Sequence, residues 1–216
     1  MNKPNRIRAA IGTILRQGRR GLGWLGYHSR PSFIIIGAQK AGSTAMFTML
    51  GQHPQIVAPK YKELDFFNGL GIQYGDFLTY HSMFPLPYRL TSGKIIYQGT
   101  PNYLHSPDCP QRIYDYAPDM KLIAVFRDPV ARAYSSWTMY RRFANSATSP
   151  NKHLAEYKSF EEAIVEELEL LEKGSSRGPG HYVKRGMYIA QKGCAVGEVT
   201  CTPFLFAIAT RVESVL

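Results

Sequence analysis

Three short apolar runs predict the strands of this chain. Residues 33–36 are entirely apolar and lie between Pro31 and Gly37, which is typical of a buried strand in a parallel sheet. Residues 94–98 and 122–126 form two further strand candidates, and the second of these has the stronger apolar pattern. The chain therefore contains at least the strands of a buried sheet.

Amphipathic segments predict the helices between and after these strands. Residues 43–50 follow a glycine-rich turn and have a helical composition. Asp128 is expected to cap a helix that has Pro129 at its first position. Ser159 and Glu162 have the spacing of a capping box at the start of another helix. The alternation of strands and helices predicts an α/β fold with a central, largely parallel sheet flanked by helices in three layers.

Composition and charge narrow the classes of function. The 216 residues are 44% hydrophobic and 19% charged, which is typical of one globular domain. The net charge is +10, but residues 1–62 hold ten Lys and Arg and no acid, whereas residues 63–216 hold equal numbers of basic and acidic residues. A neutral body argues against a nucleic-acid partner. Three cysteines without metal-ligand spacing favour a reducing compartment, so we expect a cytoplasmic location.

The basic N-terminal segment has two interpretations. Ile7, Ile11, Ile14 and Leu15 recur at helical spacing among basic residues, so the segment is either an amphipathic helix that contacts an anionic membrane peripherally or a loose, solvated arm. Its apolar stretch is too interrupted for a secretory signal. The expected units of the chain are a basic arm at 1–30, a main domain at 31–191 and an atypical tail at 192–216.

The loop after the first strand has the chemistry of an anion cradle. Gly37 and Gly42 have the spacing of a Walker A loop, but Ser43 stands where that motif has lysine, and the lysine lies inside the loop at Lys40. Backbone N–H groups, a helix N-terminus, the hydroxyls of Ser43 and Thr44 and one cation remain for a phosphate. The fold is therefore expected to be of the P-loop type, without a clear Walker B acid to hold a metal.

Five segments form an ordered set of motifs. The segments are GAQKAGST at 37–44, KELDFF at 62–67, GTPNYL at 99–104, KLIAVFRDPVARAYSSW at 121–137 and GMYIAQ at 186–191. One such segment alone has little specificity, whereas five in the same order have much more. The set resembles sulfotransferases that use 3′-phosphoadenosine-5′-phosphosulfate (PAPS), and it is similar to their heparan sulfate sulfotransferase branch and its bacterial relatives.

The resemblance implies a reaction and its catalytic groups. It implies that the domain at 31–191 transfers the sulfuryl group of PAPS to a hydroxyl or amine of an acceptor, and the branch implies a glycan. Glu63 is then the expected general base, with Phe66 and Phe67 shielding its carboxylate from water. Lys40 is expected to neutralise the charge that develops on the leaving oxygen.

The resemblance also implies that the donor is held at its two phosphate ends. The loop would bind the 5′-phosphosulfate, while Arg127 makes a charge-assisted contact with the 3′-phosphate and Ser135 adds a hydrogen bond. A sulfuryl group carries less charge than a phosphoryl group, so no metal is expected. The expected donor-binding residues are Lys40, Ala41, Gly42, Ser43, Thr44, Arg127 and Ser135.

Departures from the family pattern leave other hypotheses open. Asp65 stands where the signature has His, and Gly99 stands where the glucosaminyl 3-O-sulfating enzymes have Lys. After Gln191 the sequence shows no sign of the helix, the further strand or the nucleotide-closing loop of the family, so the C-terminal part of the fold is expected to be incomplete. Residues 203–209 are either a strand or an apolar tail. The alternatives are a truncated, non-catalytic nucleotide-binding remnant and a P-loop kinase.

Overall fold

The computed structural model describes residues 3–146, 148–175, 181–188 and 205–208. Its α-helices are α1 (Lys3–Trp24), α2 (Ser43–Leu50), α3 (Phe77–Ser82), α4 (Cys109–Tyr116), α5 (Pro129–Ala144) and α6 (Phe160–Glu172). Its strands are β1 (Phe33–Gly37), β2 (Ile56–Val57), β3 (Ile95–Gly99), β4 (Lys121–Phe126) and β5 (Leu205–Ile208). Short 3₁₀ turns lie at Pro87–Gly93, Tyr103–His105, Lys152–Leu154 and Lys184–Gly186.

The strands of the described residues form one parallel sheet in the order β2-β3-β1-β4-β5. β1 is buried along its whole length because its side chains alternate between two cores. Ile34 and Ile36 pack in a large cluster that includes Tyr80 of α3, whereas Phe33 and Ile35 pack against α2 on the opposite face. Helices therefore cover both faces, and the predicted three-layer α/β fold is confirmed.

The carboxyl ends of β1, β3 and β4 meet at one edge of this sheet. β3 lies on one side of β1 and β4 lies on the other. The order of the strands along the chain therefore reverses direction across the sheet at β1. In open α/β sheets, ligands bind in the crevice at such a point. The N–H of Ala38 donates to the carbonyl of Val125 at 2.8 Å, and the N–H of Thr100 donates to that of Ile35 at 2.9 Å. These bonds hold the loops after β1 and β3 at the crevice.

The helix starts that the sequence predicts are confirmed. The Asp128 carboxylate accepts a hydrogen bond from the N–H of Ala131 at 2.8 Å, with Pro129 in the first turn of α5. Ser159 and Glu162 form the predicted capping box at the start of α6. Local rules did not reveal β2, α3 or α4, which are short elements held mainly by contacts with distant parts of the chain.

The basic N-terminal segment forms a helix over Lys3–Trp24, as the amphipathic-helix interpretation expects, and its contact with a membrane stays a prediction. Helix α1 lies on α3. The Arg19 guanidinium donates to the carbonyls of Ser82 and Phe84, both at 3.4 Å, and Arg20 forms an ion pair with Asp76 at 3.3 Å. Within the described ranges, no helix combines the length and the apolar character needed to cross a membrane.

The C-terminal part corrects one expectation. Leu205–Ile208 pairs in parallel with β4, so the strand interpretation of residues 203–209 is confirmed there, and the expected absence of a further strand was wrong. The expected absence of the nucleotide-closing loop and the end of the motif at 186–191 concern residues outside the described ranges. The division of the chain at residues 30 and 191 stays a prediction.

Candidate active site

A cleft opens at the edge of the sheet where β1, β3 and β4 end. One part has a volume of about 300 Å³ and includes Lys40 and Glu63 in its lining. A second part of about 360 Å³ includes Arg127 and Arg142. Because Lys40 and Ser135 line both parts, the two cavities adjoin and form one elongated cleft. The structure thus brings most of the predicted site residues to a common surface.

The loop after β1 presents the start of α2 to this cleft. Gly42 precedes the helix with a φ of 107°, a left-handed conformation that favours glycine, and no side chain of the described residues caps the helix. The first helical bond runs from the N–H of Met46 to the Gly42 carbonyl. The N–H groups of Ser43 and Thr44 therefore have no acceptor inside the helix and can bind an anion.

Ala41 differs from the other predicted loop residues. Its N–H donates to the carbonyl of Ala38 at 3.2 Å, and its side chain is buried. Gly42, Ser43 and Thr44 line the larger opening beside Lys40, whereas Ala41 is absent from the described lining. We therefore interpret Ala41 as a residue that shapes the turn rather than one that contacts a ligand.

Lys40 stands at the junction of the two cavities. Its backbone has a φ of 66°, an uncommon conformation for a residue with a side chain. Burial lowers the pKa of Lys40, and the positive charges of Arg142 and Arg127 lower it further. Among the described residues, no carboxylate lines the second cavity. A bound anion would relieve this repulsion, so three converging cations indicate an anion site.

Arg127 and Ser135 line the second cavity, and Ser135 lines the first cavity as well. The carbonyl of Arg127 accepts a hydrogen bond from the hydroxyl of Tyr188 at 3.0 Å, which ties the segment after β4 to the motif at 186–191. Arg142 was missed by the sequence analysis. It lies two helical turns after Ser135 on the same face of α5, so the i, i+7 spacing was an available signal.

Glu63 lines the first cavity together with Lys40. Its N–H donates to the carbonyl of Gly99 at 2.9 Å, which fixes the Glu63 segment to the end of β3. The ammonium of Lys62 contacts the Glu63 carboxylate at 2.6 Å and donates to the hydroxyl of Thr44 at 2.9 Å. Lys62 therefore links the carboxylate of Glu63 to Thr44 at the start of α2.

The expected shielding of Glu63 by the following phenylalanines is wrong. Phe66 and Phe67 are fully buried and pack against Tyr80 in the core, whereas the Glu63 side chain is 46% exposed. Glu63 forms a salt bridge with Lys62 and lines the cleft at the same time. A structural ion pair and a position at the cleft are compatible here.

Arg185 connects two of the motifs and was not predicted from the sequence. Its guanidinium donates to the side-chain oxygens of Gln39 at 2.9 Å and Asn102 at 2.8 Å. Gln39 belongs to the loop after β1 and Asn102 to the loop after β3, and both line the cleft. These contacts join residues that are 146 and 83 positions apart, so local spacing gave no signal for them.

The chemistry of the cleft suits an extended anion and one acidic group. The described residues contain no cluster of His, Cys, Asp and Glu arranged to hold a metal ion. Cations, hydroxyls and free N–H groups line the cleft from the start of α2 to Arg127, and Glu63 lies on the side of the first cavity. The arrangement can hold two separate anionic groups and place a carboxylate beside one of them.

Comparisons with known sequences point to one family. The family model described as Sulfotransferase domain matches residues 30–176. The chain is 38% identical over 117 residues to the bifunctional heparan sulfate N-deacetylase/N-sulfotransferase 4 of Mus musculus, covering 52% of this chain and 13% of that protein. It is 34% identical over 145 residues to the membrane-associated sulfotransferase kil1 of Dictyostelium discoideum, covering 66% of this chain and 29% of that protein. The matches thus span less than a third of the length of these relatives.

A solved structure agrees with this match. The crystal structure of a sulfotransferase from Alicyclobacillus acidocaldarius superimposes with a TM-score of 0.59 at 26% identity, covering 83% of this chain and 73% of the other. The family match includes the loop after β1, the Glu63 segment and the Arg127–Ser135 segment. The resemblance inferred from the five motifs is confirmed, and this chain belongs to the sulfotransferase family.

Proposed function

We propose that this chain transfers the sulfuryl group of PAPS to a hydroxyl or amine of a glycan. The observation that carries the proposal is the position of Lys40 between two sets of groups. Arg127 lines only the second cavity, and Glu63 lines only the first. This order matches the order of the reacting parts, which run from the 3′-phosphate through the 5′-phosphosulfate to the acceptor.

The donor would bind along the cationic part of the cleft. The N–H groups and hydroxyls of Ser43 and Thr44 would hold the 5′-phosphosulfate at the start of α2. Arg127 would hold the 3′-phosphate with charge-assisted hydrogen bonds, and Ser135 would add one more. These roles rest on the lining of the cleft and on the family pattern together. No metal enters the proposed reaction.

The transfer step uses Glu63 and Lys40. The acceptor oxygen or nitrogen attacks sulfur while the Glu63 carboxylate takes its proton, and a new S–O or S–N bond forms. The bond between sulfur and the bridging oxygen breaks, and its electron pair stays on the 5′-phosphate. The Lys40 ammonium neutralises the charge that develops there. The products are the sulfated acceptor and 3′-phosphoadenosine-5′-phosphate.

The acceptor class depends on the relatives more than on the cleft. The printed name of the mouse relative refers to heparan sulfate, which supports a glycan acceptor for this chain. The cytoplasmic location stays a prediction. Peripheral membrane contact through residues 1–30 concerns the surface of α1 and is independent of the donor site. The family match favours sulfuryl transfer over the kinase alternative, and a non-catalytic remnant remains the competing proposal.

Calorimetric titration with 3′-phosphoadenosine-5′-phosphate tests the donor site. We expect the wild type to bind this nucleotide, and we expect Arg127→Ala to bind about 10- to 100-fold more weakly, because one charged hydrogen-bonding partner is lost. Arg89→Ala, which changes an exposed arginine outside the described cleft lining, is the matched control and should bind normally.

ATP with Mg²⁺ is the second ligand in this experiment. Equal or tighter binding of ATP would contradict the proposed donor and favour the kinase. Failure of the folded wild type to bind either nucleotide would contradict a nucleotide site altogether. Nucleotide binding without any transfer to glycan acceptors would support the remnant.

A further inference from the structure

Helix α1 turns its apolar stripe away from the protein. The stripe follows helical spacing from residue 11 onward, and the N–H of Leu25 still bonds to the Gly21 carbonyl, so the helical path continues to that residue. A helix of a globular protein normally buries such a stripe. The exposed fractions in the stripe are Ile11 52%, Ile14 67%, Leu15 62%, Leu22 38% and Leu25 71%.

Small and basic residues attach α1 to the body instead. Gly23 is buried, and a Cβ atom at that position would lie 3.5 Å from the Leu78 side chain. Arg19 bonds to two carbonyls at the end of α3, and Arg20 pairs with Asp76. These contacts attach α1 to the body of the protein without the apolar residues of the stripe. The stripe therefore stays exposed and can contact a partner.

A basic groove lies beside the stripe. It has a volume of about 190 Å³ between α1 and the segments at Lys60–Tyr61 and Ser82–Met83. Arg16, Arg19 and Lys60 line it, and Leu15 belongs to both the groove and the stripe. Neither Arg16 nor Lys60 lies within 4.0 Å of a carboxylate in the part of the chain that the structure describes. Cations that have no carboxylate partner among the described residues and lie beside apolar side chains match the two chemistries of an anionic lipid surface.

We propose that α1 is an interfacial helix that lies on an anionic membrane, with its stripe in the headgroup–acyl boundary and lipid phosphates against Arg16, Arg19 and Lys60. Charge selects this occupant over a second copy of the chain. Residues 1–62 contain no acid, so two copies that met through this face would bring like charges together. The exposed apolar stripe in turn distinguishes the surface from one that binds a polyanion by charge alone.

Sedimentation with lipid vesicles tests the proposal on the full chain. We expect the protein to sediment with vesicles that contain phosphatidylglycerol and to remain in solution with pure phosphatidylcholine. Ile14→Glu should weaken vesicle binding about tenfold or more, because a charge replaces an inserted aliphatic side chain. Val165→Glu is the matched control, since Val165 is 55% exposed on α6 and should bind like the wild type. Circular dichroism verifies that both variants keep their helices.

The charge contribution is tested separately. The double variant Arg16→Gln/Lys60→Gln should lose its preference for anionic vesicles, and salt should weaken the wild type more than this variant. Equal binding of wild type and Ile14→Glu would overturn the proposal. A second result would also overturn it: absent vesicle binding, together with a wild-type dimer in ultracentrifugation without lipid that Ile14→Glu makes monomeric. The stripe would then contact a second copy of the chain. Both proposals can fail independently, since nucleotide binding does not involve α1.

Discussion

The donor side and the acceptor side of the cleft are built from different kinds of contact. On the donor side, one continuous segment supplies the loop after β1, Lys40 and the uncapped start of α2. On the acceptor side, Glu63 owes its place to a backbone bond with Gly99 and to an ion pair with Lys62, whose ammonium also reaches Thr44. The groups that we propose to hold the 5′-phosphosulfate are thus close together in the chain, whereas the placement of Glu63 depends on contacts between distant residues.

The two sides also differ in charge. Lys40, Arg127 and Arg142 converge on the second cavity, where the described lining holds no carboxylate. On the acceptor side, the charges of Lys62 and Glu63 are paired at 2.6 Å. We therefore expect charge changes on the donor side to alter nucleotide affinity, and changes at the Lys62–Glu63 pair to alter turnover alone.

A large effect that tests this comparison is expected at Lys40, which lines both cavities. Lys40→Ala should lower the rate of sulfuryl transfer about 100- to 1,000-fold, because the charge that develops on the leaving oxygen loses its stabilising cation. The measurement is kcat at saturating donor. Lys94→Ala, an exposed lysine outside the described cleft lining, is the control. A normal rate in Lys40→Ala would contradict the assignment of the leaving-group position.

A smaller effect is expected at Lys62, and it tests whether the two sides of the cleft can be changed independently. Lys62→Gln should lower kcat about tenfold, since the Glu63 carboxylate loses a charged hydrogen bond that holds it. The affinity for 3′-phosphoadenosine-5′-phosphate should stay within about twofold of the wild type. Steady-state kinetics and calorimetry on the same preparation measure both quantities. If nucleotide affinity falls as much as kcat, the two sides are not separable.

A still smaller effect is expected at Arg142. Arg142→Gln should weaken nucleotide binding about twofold to fivefold, because an exposed charge contributes only about 0.5–1 kcal/mol. It should also raise the pKa of Lys40, since Arg142 is one of the cations that lower it. Binding needs the protonated lysine, so the alkaline loss of nucleotide affinity should move to higher pH. An unchanged pH profile would show that Arg142 does not act on Lys40.

A last effect concerns the stability of the fold outside the cleft. Burial, followed by the charges of His28 and Arg30, lowers the pKa of His81 to about 4. The unfolded chain therefore binds a proton at this residue that the folded chain does not bind between about pH 6.5 and pH 4. The free energy of unfolding should therefore decrease as the pH is lowered through that window, by at most about 1.4 kcal/mol per pH unit from this group. Urea unfolding of the wild type and His81→Asn at several pH values measures the slope, and equal slopes would contradict the assignment to His81.

The sequence predicted the parts of the molecule that local rules govern. The apolar strands, the Asp128 cap and the turn between β1 and α2 depend on residues close together in the chain, and the structure contains each of them. The contacts of Arg185 with Gln39 and Asn102 depend on the folded topology, so no spacing rule could find them.

The prediction for the phenylalanines failed for a related reason. Glu63 and Asp65 have φ values of 61° and 49°, so the backbone turns twice within three residues. The turn leaves Glu63 at the cleft while Phe66 and Phe67 enter the core. Closeness along the sequence therefore did not place the rings beside the acid, and only a description of the backbone could show this.

The most direct test of the central claim is transfer of labelled sulfate from PAPS to a desulfated glycan by wild type and Glu63→Gln. The account predicts that the wild type transfers sulfate and that Glu63→Gln transfers it about 100- to 10,000-fold more slowly, because the general base is lost. Both proteins should bind 3′-phosphoadenosine-5′-phosphate equally well. Equal transfer rates, or loss of nucleotide binding in Glu63→Gln, would contradict a cleft in which donor binding and proton removal lie on separate sides.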